Sequence, residues 1–483
     1  MSVSKQSLKE KATTGFIWNA AERFSVTFGQ FVIGIVLARL LMPEDFGLIG
    51  MLSIFIAISQ VFIQSGMGKG LIQKQDRTDK DYSTVFIFNL VVSTVCYGIL
   101  FVTAPLIAEF YEMPTLIPLT RVLGLNLIIN ALAVVQRTKL EIDVDFKTLA
   151  KVNVVALFIG GGLGISAALY DYGVWALVIK TITISVVTVA GLWSIGNWSL
   201  SLVFSVESFK KLFGYGSKLL AAGIYAKSLQ EIYNLVIGKA YTASELGFFV
   251  QAKTLSNKPA SLLHSVLQKV SFPIFTSLQH DEKKMVHVFR RMIKMSAFIT
   301  FPAMTLLAIL AEPIILLLLT DKWLPAVPLL QWLCFAKIMF PIGAINLNML
   351  NAIGRSDLFL KVDLSKFPLI IGALIITIPI SVEAVVIGQF VTAMISYFIN
   401  AYMPGRLFGY GALEQIRDII PMIMNTIFMA FFTLLSIYFI SGDLSKIIVG
   451  ITVASFSYLL LSYMLKLNEL NEIVNVVRTR LNF

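Results

Sequence analysis

Long apolar runs separated by short polar breaks set the pattern of this 483-residue chain. A helix that crosses a bilayer needs about 20 mostly apolar residues, because each residue adds about 1.5 Å to its length. Measured against that length, the pattern predicts fourteen membrane-spanning segments. They cover residues 14–41, 45–66, 83–108, 116–137, 148–170, 173–193, 211–237, 245–276, 288–317, 326–350, 360–380, 383–403, 418–440 and 444–465.

Composition agrees with this pattern and argues against a soluble protein. Hydrophobic residues make up 57% of the chain and charged residues 14%, whereas soluble domains average about 25% charged residues. The apolar runs are continuous, whereas the strands of a membrane barrel alternate apolar and polar positions over about ten residues. We therefore predict an all-α integral membrane protein. Cys96 and Cys334 both lie inside apolar segments, so no disulfide framework is expected.

The basic residues predict how the chain is oriented. Only Lys239, Lys322 and Lys446 lie in the connections on one face, and the great majority of the other loop cations lie on the opposite face, with both termini. Positive residues are enriched in cytoplasmic loops, so both termini are expected in the cytoplasm and the protein in the inner, cytoplasmic membrane. The net charge of +11 is explained in the same way and implies no nucleic acid. Glu22 and Arg23 interrupt the first apolar run, which is unlike a removable signal peptide.

An internal repeat relates the two halves of the chain. Gln30 and Arg39 match Gln230 and Lys239 at an offset of 200 residues. Six predicted helices separate the copies, an even number, so both halves cross the membrane in the same direction. Parallel repeats of this kind pack around a substrate site. We predict two six-helix lobes around a central cavity and two further helices with a cytoplasmic tail: residues 1–200, 201–405 and 406–483, respectively.

The stretch "ARLLMPEDFGLIGM" at 38–51 separates the first two apolar runs, and a related stretch follows 200 residues later. Proline suits the start of a helix, so Pro43 is expected to begin the second helix, and Gly47 to serve the sharp outer turn. Asp45 and Glu245 are expected to complement the positive amino ends of their helices. We interpret the stretch as a structural hinge rather than a substrate contact.

Polar side chains recur along one face of three predicted helices. A charge at the middle of a bilayer costs about 2.5–3.5 kcal/mol on insertion scales unless it meets water or a partner. Residues three or four positions apart lie on the same face of a helix, so these polar residues form stripes. The stripes predict a water-filled cavity, although hydrogen bonds between helices would also explain them. The stripes comprise Asn19, Arg23, Thr27 and Gln30; Gly223, Lys227, Gln230, Glu231 and Asn234; Lys253, Asn257, Lys258, Ser261, His264 and Gln268; and, more weakly, Ser53, Gln60 and Gln64.

The charges on these faces predict an anionic substrate. Four cations and two carboxylates lie on or beside the stripes, which leaves a positive balance. Arginine can hold a diphosphate through two parallel hydrogen bonds, and lysine acts as a point charge. The groups expected to couple transport to an ion are Glu22, Glu231 and His264. The residues predicted to bind substrate are Asn19, Arg23, Gln30, Gln64, Lys227, Gln230, Asn234, Lys253, Asn257 and Lys258.

Catalytic chemistry and bound cofactors are not expected. The three histidines show neither a metal-ligand spacing nor a Ser-His-Asp arrangement. The stretch "GGGLG" at 160–164 lacks the Lys-Ser/Thr that completes a phosphate-binding loop. Its G-x-x-x-G spacing instead predicts a close contact between helices.

Several stretches together resemble the polysaccharide transporter family. They include "GFIWNAAERF", "LARLLMPEDFG", "DYSTVFIFNL", "YGVWALV", "LFGYGSKLL", "FPIFTSLQ" and "NAIGRSDLFLK", between about residues 10 and 365. The family includes Wzx-type lipid-linked oligosaccharide flippases and colanic-acid-exporter-like proteins of the multidrug/oligosaccharidyl-lipid/polysaccharide superfamily. The resemblance implies fourteen helices, two six-helix lobes, a central cavity and alternating access. The family often carries an arginine where this chain has Gln251.

Three functions are compatible with these features. The first is a flippase for a polyprenyl-diphosphate-linked oligosaccharide, used to build O-antigen, capsule or exopolysaccharide. Its expected partners are this substrate, membrane lipids and polysaccharide polymerase or export components. The second is a drug or cation antiporter of the same superfamily, for which an acidic cavity would be expected. The third is a membrane polymerase or sugar transferase, which would need catalytic groups in a sizeable outer loop, whereas the predicted outer connections are very short.

Overall fold

The computed structural model describes residues 5–64, 67–196, 198–199, 201 and 203–481. Within the helices, it describes only the backbone at residues 5–17, 19–21, 23, 64, 215–216, 218–219, 263–264, 266, 268–270, 476–477 and 479–481. Every regular element in the described ranges is a helix, which confirms the all-α prediction. Ten helices among these residues are long and apolar enough to cross a membrane, so the chain is a multi-pass membrane protein. The total of fourteen spans stays a prediction.

The chain divides into two compact units, Met1–Gly247 and Phe248–Phe483. The two lobes expected from the repeat stay a prediction. The helices of the first unit are α1 (Lys5–Leu40), α2 (Pro43–Gln64), α3 (Met67–Gln73), α4 (Asp79–Tyr111), α5 (Leu116–Ile142), α6 (Phe146–Leu169), α7 (Val174–Ile195) and α8 (Val206–Ala240).

The next helix, α9 (Ala243–Ser277), begins in the first unit and continues into the second. A single 3-10 turn, Asp321–Trp323, interrupts the helices that follow. These helices are α10 (Glu282–Ile309), α11 (Ala311–Leu318), α12 (Ala326–Lys337), α13 (Phe340–Ala352), α14 (Ser356–Leu364), α15 (Phe367–Thr377), α16 (Val382–Phe408), α17 (Ala412–Tyr438), α18 (Asp443–Met464) and α19 (Asn468–Leu481).

Glycines bring α6 close to α7 in the first unit. A β-carbon on Gly160 would overlap the side chain of Ile184, and one on Gly164 would lie 2.7 Å from Cβ of Lys180. Real β-carbons do not approach other atoms so closely, so larger residues would push the two helices apart. The "GGGLG" stretch is therefore a helix contact, as its spacing predicts.

Three segments expected to be continuous are interrupted: segment 288–317 becomes α10 and α11, and two more are broken next to prolines. Segment 326–350 becomes α12 and α13, and segment 360–380 becomes α14 and α15. Pro341 and Pro368 stand at the start of the second helix of each pair. Proline has no backbone N–H to donate and disfavours helical geometry in the residue before it. It therefore ends one helix and suits the first turn of the next.

A helix that the apolar pattern does not predict, α19, packs against other helices within the second unit. Nε of Arg291 in α10 lies 2.8 Å from Oε1 of Glu472. On the same helix, Leu470 and Ile473 pack against a buried cluster that includes Phe289 and Met422. Only one side of α19 is apolar, which is why the hydropathy of this segment gives no spanning signal.

Candidate functional site

Three polar side chains form a hydrogen-bonded cluster between α2 and α8 in the first unit. Oγ of Ser53 donates to Oε2 of Glu231 at 3.1 Å. Nδ2 of Asn234 donates to the same carboxylate oxygen at 2.7 Å and to Oγ of Ser53 at 2.9 Å. Asn234 is buried, and the other two residues are half-buried. The cluster therefore gives partners to polar groups that would be costly to leave unpaired inside a membrane.

Lys227 lies on the same face of α8 as this cluster. Its Nζ donates to Oε1 of Gln230 at 2.8 Å. Residues 227, 230 and 234 are three and four positions apart, so they share a helix face, as the sequence predicts. A hydrogen bond to a neutral amide leaves the charge of the ammonium group in place. The face therefore combines a cation, an amide and the hydrogen-bonded carboxylate.

Glu22 belongs to a different contact, between α1 and α6. Nδ2 of Asn153 donates to Oε1 of Glu22 at 2.6 Å, and both side chains are half-buried. Glu22 and Lys151 also line a cavity of about 390 Å³. Asn153 was absent from the predicted site, although a repeat signal marks its position, since "KVN" at 151–153 resembles "KVD" at 361–363.

Basic side chains on α9 and α12 also belong to the second unit. Nζ of Lys253 on α9 lies 5.9 Å from the ring centroid of Phe249. Lys337 in α12 is half-buried, and the charge of Lys253 acts on its ammonium group. Positive charges in one region attract an anion. Lys337 was not among the predicted substrate-binding residues. Asn257 and Lys258 are two of the predicted substrate-binding residues, and both are half-buried on α9.

Four predicted site residues lie outside the described side chains. They are Asn19, Arg23, Gln64 and His264. Gln30 is described and is exposed on α1. The roles assigned to all these residues stay predictions.

Two glycines related by the repeat make a reciprocal contact between the first turns of α2 and α9. A β-carbon on Gly47 would overlap the carbonyl group of Ala243, and one on Gly247 would overlap the carbonyl group of Pro43. Pro43 and Ala243 are the first residues of these helices and are also 200 positions apart. Only glycine permits so close an approach. Gly47 thus serves a contact between helices, not the turn that the sequence suggests.

Both helix starts are capped by carboxylates at positions related by the repeat. The backbone N–H of Met42 donates to Oδ2 of Asp45 at 2.9 Å. The N–H and the hydroxyl of Thr242 donate to Oε2 of Glu245 at 3.0 and 2.9 Å. These bonds satisfy backbone donors that a helix start leaves free, which confirms the predicted role of Asp45 and Glu245.

An ion pair joins the end of α8 to the end of α4. Nζ of Lys239 lies 2.8 Å from Oε1 of Glu112 and 5.4 Å from the ring centroid of Phe110. The hydrogen bond and the charge of Lys239 hold the pKa of Glu112 below its usual value. The ion pair is exposed. We call the glycine contact and this ion pair together the outer contact, because the cation distribution predicts that these helix ends face outward.

Sequence comparison finds relatives along most of the chain. A family model described as "Polysaccharide biosynthesis protein" matches residues 36–328. The teichuronic acid biosynthesis protein TuaB of Bacillus subtilis is 26% identical over 355 residues, which cover 73% of each chain. The lipopolysaccharide biosynthesis protein WzxC of Escherichia coli is 23% identical over 401 residues, which cover 81% of each chain.

Comparison with solved structures identifies the fold. The lipid II flippase MurJ in its inward closed conformation matches with a TM-score of 0.70 at 16% identity, over 93% of this chain and 99% of that one. An inward-facing multidrug resistance MATE family transporter of the MOP superfamily matches with a TM-score of 0.62 at 17% identity, over 80% and 96% of the two chains. The chain therefore has the fold of these membrane transporters.

Proposed function

Because this chain belongs to the polysaccharide biosynthesis protein family, we propose that it is a flippase for a polyprenyl-diphosphate-linked oligosaccharide. It moves this substrate across the cytoplasmic membrane from the inner to the outer leaflet by alternating access. The exported oligosaccharide is used for surface polysaccharide, and the protein acts as a transporter rather than as an enzyme. Support for the direction comes from the loop cations, which indicate cytoplasmic termini.

The observation that carries the proposal is the basic and polar face of α8. Lys227, Gln230 and Asn234 share that face, and Asn234 connects it to Ser53 of α2. Buried polar side chains in membrane helices mark transport paths when they line a cavity. An ammonium group there can bind a phosphate oxygen, and amides can bind sugar hydroxyl groups.

Two names among the relatives fit this reading. One relative is the lipopolysaccharide biosynthesis protein WzxC, and MurJ, which shares the fold, is a lipid II flippase. We carry the chemical class of a lipid-linked saccharide over to this chain as part of the proposal. Its partners are then the lipid-linked oligosaccharide, the surrounding lipids and the polymerase or export components that use the product.

The alternative of a drug or cation antiporter fits the charges less well. The MATE transporter has the same fold, but a cationic substrate would favour a site with excess carboxylates. The described candidate groups include the cations Lys227, Lys253 and Lys258, whereas Glu231 already accepts two hydrogen bonds. This balance supports an anionic substrate.

Export in a bacterial strain that lacks its own flippase tests the proposal. Wild-type protein should restore surface polysaccharide. Lys227→Ala should weaken substrate binding by about 10- to 150-fold, because a hydrogen bond to a charged group contributes about 1.5–3 kcal/mol and 1.4 kcal/mol corresponds to a factor of ten. Export should fall accordingly, whereas Lys227→Arg should retain part of it. Protein levels are compared by immunoblotting.

The matched control is Lys210→Ala, which removes an exposed lysine near the start of the same helix. It should export at the wild-type level. Failure of the wild-type protein to restore any polysaccharide, in strains that offer several different lipid-linked oligosaccharides, would contradict the proposed function. Wild-type export by Lys227→Ala would contradict the role of Lys227.

A further inference from the structure

A pocket of about 430 Å³ lies between α2, α3 and α5 in the first unit. Its volume is within the range of about 300–1,000 Å³ that is typical of small-molecule sites. Apolar side chains, including Ile63 and Val134, form part of its wall. Six polar side chains complete the lining: Gln60, Lys69, Asn130, Arg137, Thr138 and Glu141.

The polar side chains are arranged by depth. Asn130, Arg137 and Glu141 are seven and four positions apart, so they follow one face of α5. Lys69 and Arg137 are exposed, near the helix ends that the loop cations place in the cytoplasm. Asn130 lies about 10 Å further along the helix from Arg137, at about 1.5 Å per residue. The pocket therefore leads from the cytoplasmic surface toward the membrane interior.

The polar groups of the pocket make no hydrogen bond or ion pair among the residues that the structure describes, although the charges of Arg137 and Glu141 on α5 act on each other. The side chains of Lys69 and Arg137 make neither a hydrogen bond nor an ion pair there, and the same holds for the other four polar lining residues. Neighbouring cations differ in this respect. Lys74 is paired with Asp81 at 2.6 Å, and Nε of Arg77 donates to a backbone carbonyl at 2.8 Å. Neither pocket cation is held in such a short contact, so both can bind a ligand, and Glu141 offsets only part of their charge.

We propose that this pocket binds the diphosphate of the lipid-linked substrate at the cytoplasmic face, before transport, an inference that rests on the proposed function. Arg137 can hold phosphate oxygens through two parallel hydrogen bonds, and Lys69 supplies a second positive charge. The carboxylate of Glu141, one turn beyond Arg137 toward the cytoplasmic end of α5, can accept hydrogen bonds from hydroxyl groups of the attached sugar. Asn153, Glu231 and the other site residues described above do not line this pocket.

An anionic phospholipid carries the same phosphate chemistry with a single phosphate group. Two cations on different helices fit a diphosphate better, because each can compensate one of its phosphates. The apolar wall beside them suits the first isoprenoid units of the carrier lipid. Binding experiments must therefore separate a diphosphate from a phospholipid head group.

Isothermal titration calorimetry on the full-length protein in detergent tests the inference, with farnesyl diphosphate as the probe. Wild-type protein should bind farnesyl diphosphate but not farnesol. Arg137→Gln and Lys69→Gln should each weaken binding by about 10- to 150-fold. Both positions are exposed, so these variants are expected to fold. Lys80→Gln is the matched control, because Lys80 is an exposed cation near α3 that does not line the pocket, and it should bind as wild type does.

Two results would overturn the inference. One is wild-type affinity in both pocket variants, which would place the diphosphate elsewhere. The other is displacement of farnesyl diphosphate by an equal concentration of phosphatidylglycerol, which would identify a general head-group site. Export separates this inference from the proposed function. If the double variant Lys69→Gln/Arg137→Gln binds farnesyl diphosphate and exports polysaccharide as wild type does, only the pocket assignment is wrong. If the wild-type protein does not export polysaccharide, the proposed function itself is contradicted.

Discussion

Glu231 shows how one carboxylate could link an ion gradient to movement. It accepts hydrogen bonds from Ser53 of α2 and Asn234 of α8, so it joins the two helices. Protonation would turn one of its carboxylate oxygens into a donor and weaken these contacts. Among the three groups predicted to couple transport to an ion, Glu231 is the one whose described hydrogen bonds join α2 and α8.

Replacement of this carboxylate by an amide tests that role. Glu231→Gln keeps the size of the side chain and an oxygen that can accept from Asn234, but it cannot titrate. We expect normal folding and transport that no longer responds to a proton gradient, measured as lipid-linked oligosaccharide uptake in vesicles with and without the gradient. Glu22→Gln, at the separate contact with Asn153, should keep the response. The opposite pattern would assign coupling to the contact between α1 and α6.

The sequence predicts which residues share a helix face better than it predicts which residues of other helices they contact. Spacing alone places Lys227, Gln230 and Asn234 on one side of α8, and the hydrogen bond from Lys227 to Gln230 agrees with it. Spacing cannot reveal that Asn234 meets Ser53, because helical periodicity contains no information on which helix lies opposite. Spacing also gives no definite role to Lys337, because this lysine has no polar stripe of its own on its helix.

At the scale of helices, long apolar runs were sufficient to predict most elements but not their interruptions. The apolar pattern continues from α12 into α13, whereas the helix is interrupted just before Pro341, because proline lacks the N–H that the preceding turn would bond. Helix α19 is the opposite case, because it is a helix that the apolar pattern does not predict. The repeat correctly indicated that Gly47 and Gly247 have one role, yet the role is a contact between helices rather than a turn.

If the protein transports by alternating access, as we propose, the outer contact opens during each cycle. Lys239 and Glu112 form its exposed ion pair, 2.8 Å apart, on two different helices. Replacement of both by cysteine, in a chain whose Cys96 and Cys334 are changed to alanine, allows a short cleavable bifunctional thiol reagent to join α8 to α4. We expect joining to stop export and cleavage of the reagent to restore it. Each single-cysteine variant, treated identically, should export normally. Full export after complete joining would show that this contact does not open.

At the scale of the whole molecule, fold and family were predictable, whereas the detailed site was not. Mean hydropathy of +0.81 and continuous apolar runs are sufficient for a multi-pass α-helical protein. The resemblance between about residues 10 and 365 agrees with the family match over residues 36–328. The pocket formed by α2, α3 and α5 could not be found in this way. Its cations, Lys69 and Arg137, resemble ordinary cytoplasmic loop charges until the helices are assembled.

Transport by the purified full-length protein in lipid vesicles tests the central claim most directly. Vesicles are loaded with a defined polyprenyl-diphosphate-linked oligosaccharide in both leaflets, and a membrane-impermeant glycosidase added outside measures how much becomes accessible with time. We predict that the protein makes the inner-leaflet pool accessible much faster than protein-free vesicles do, and that Lys227→Ala does so more slowly than wild type. Equal accessibility with and without the wild-type protein, over a series of oligosaccharides and imposed ion gradients, would contradict the claim that this chain is a flippase.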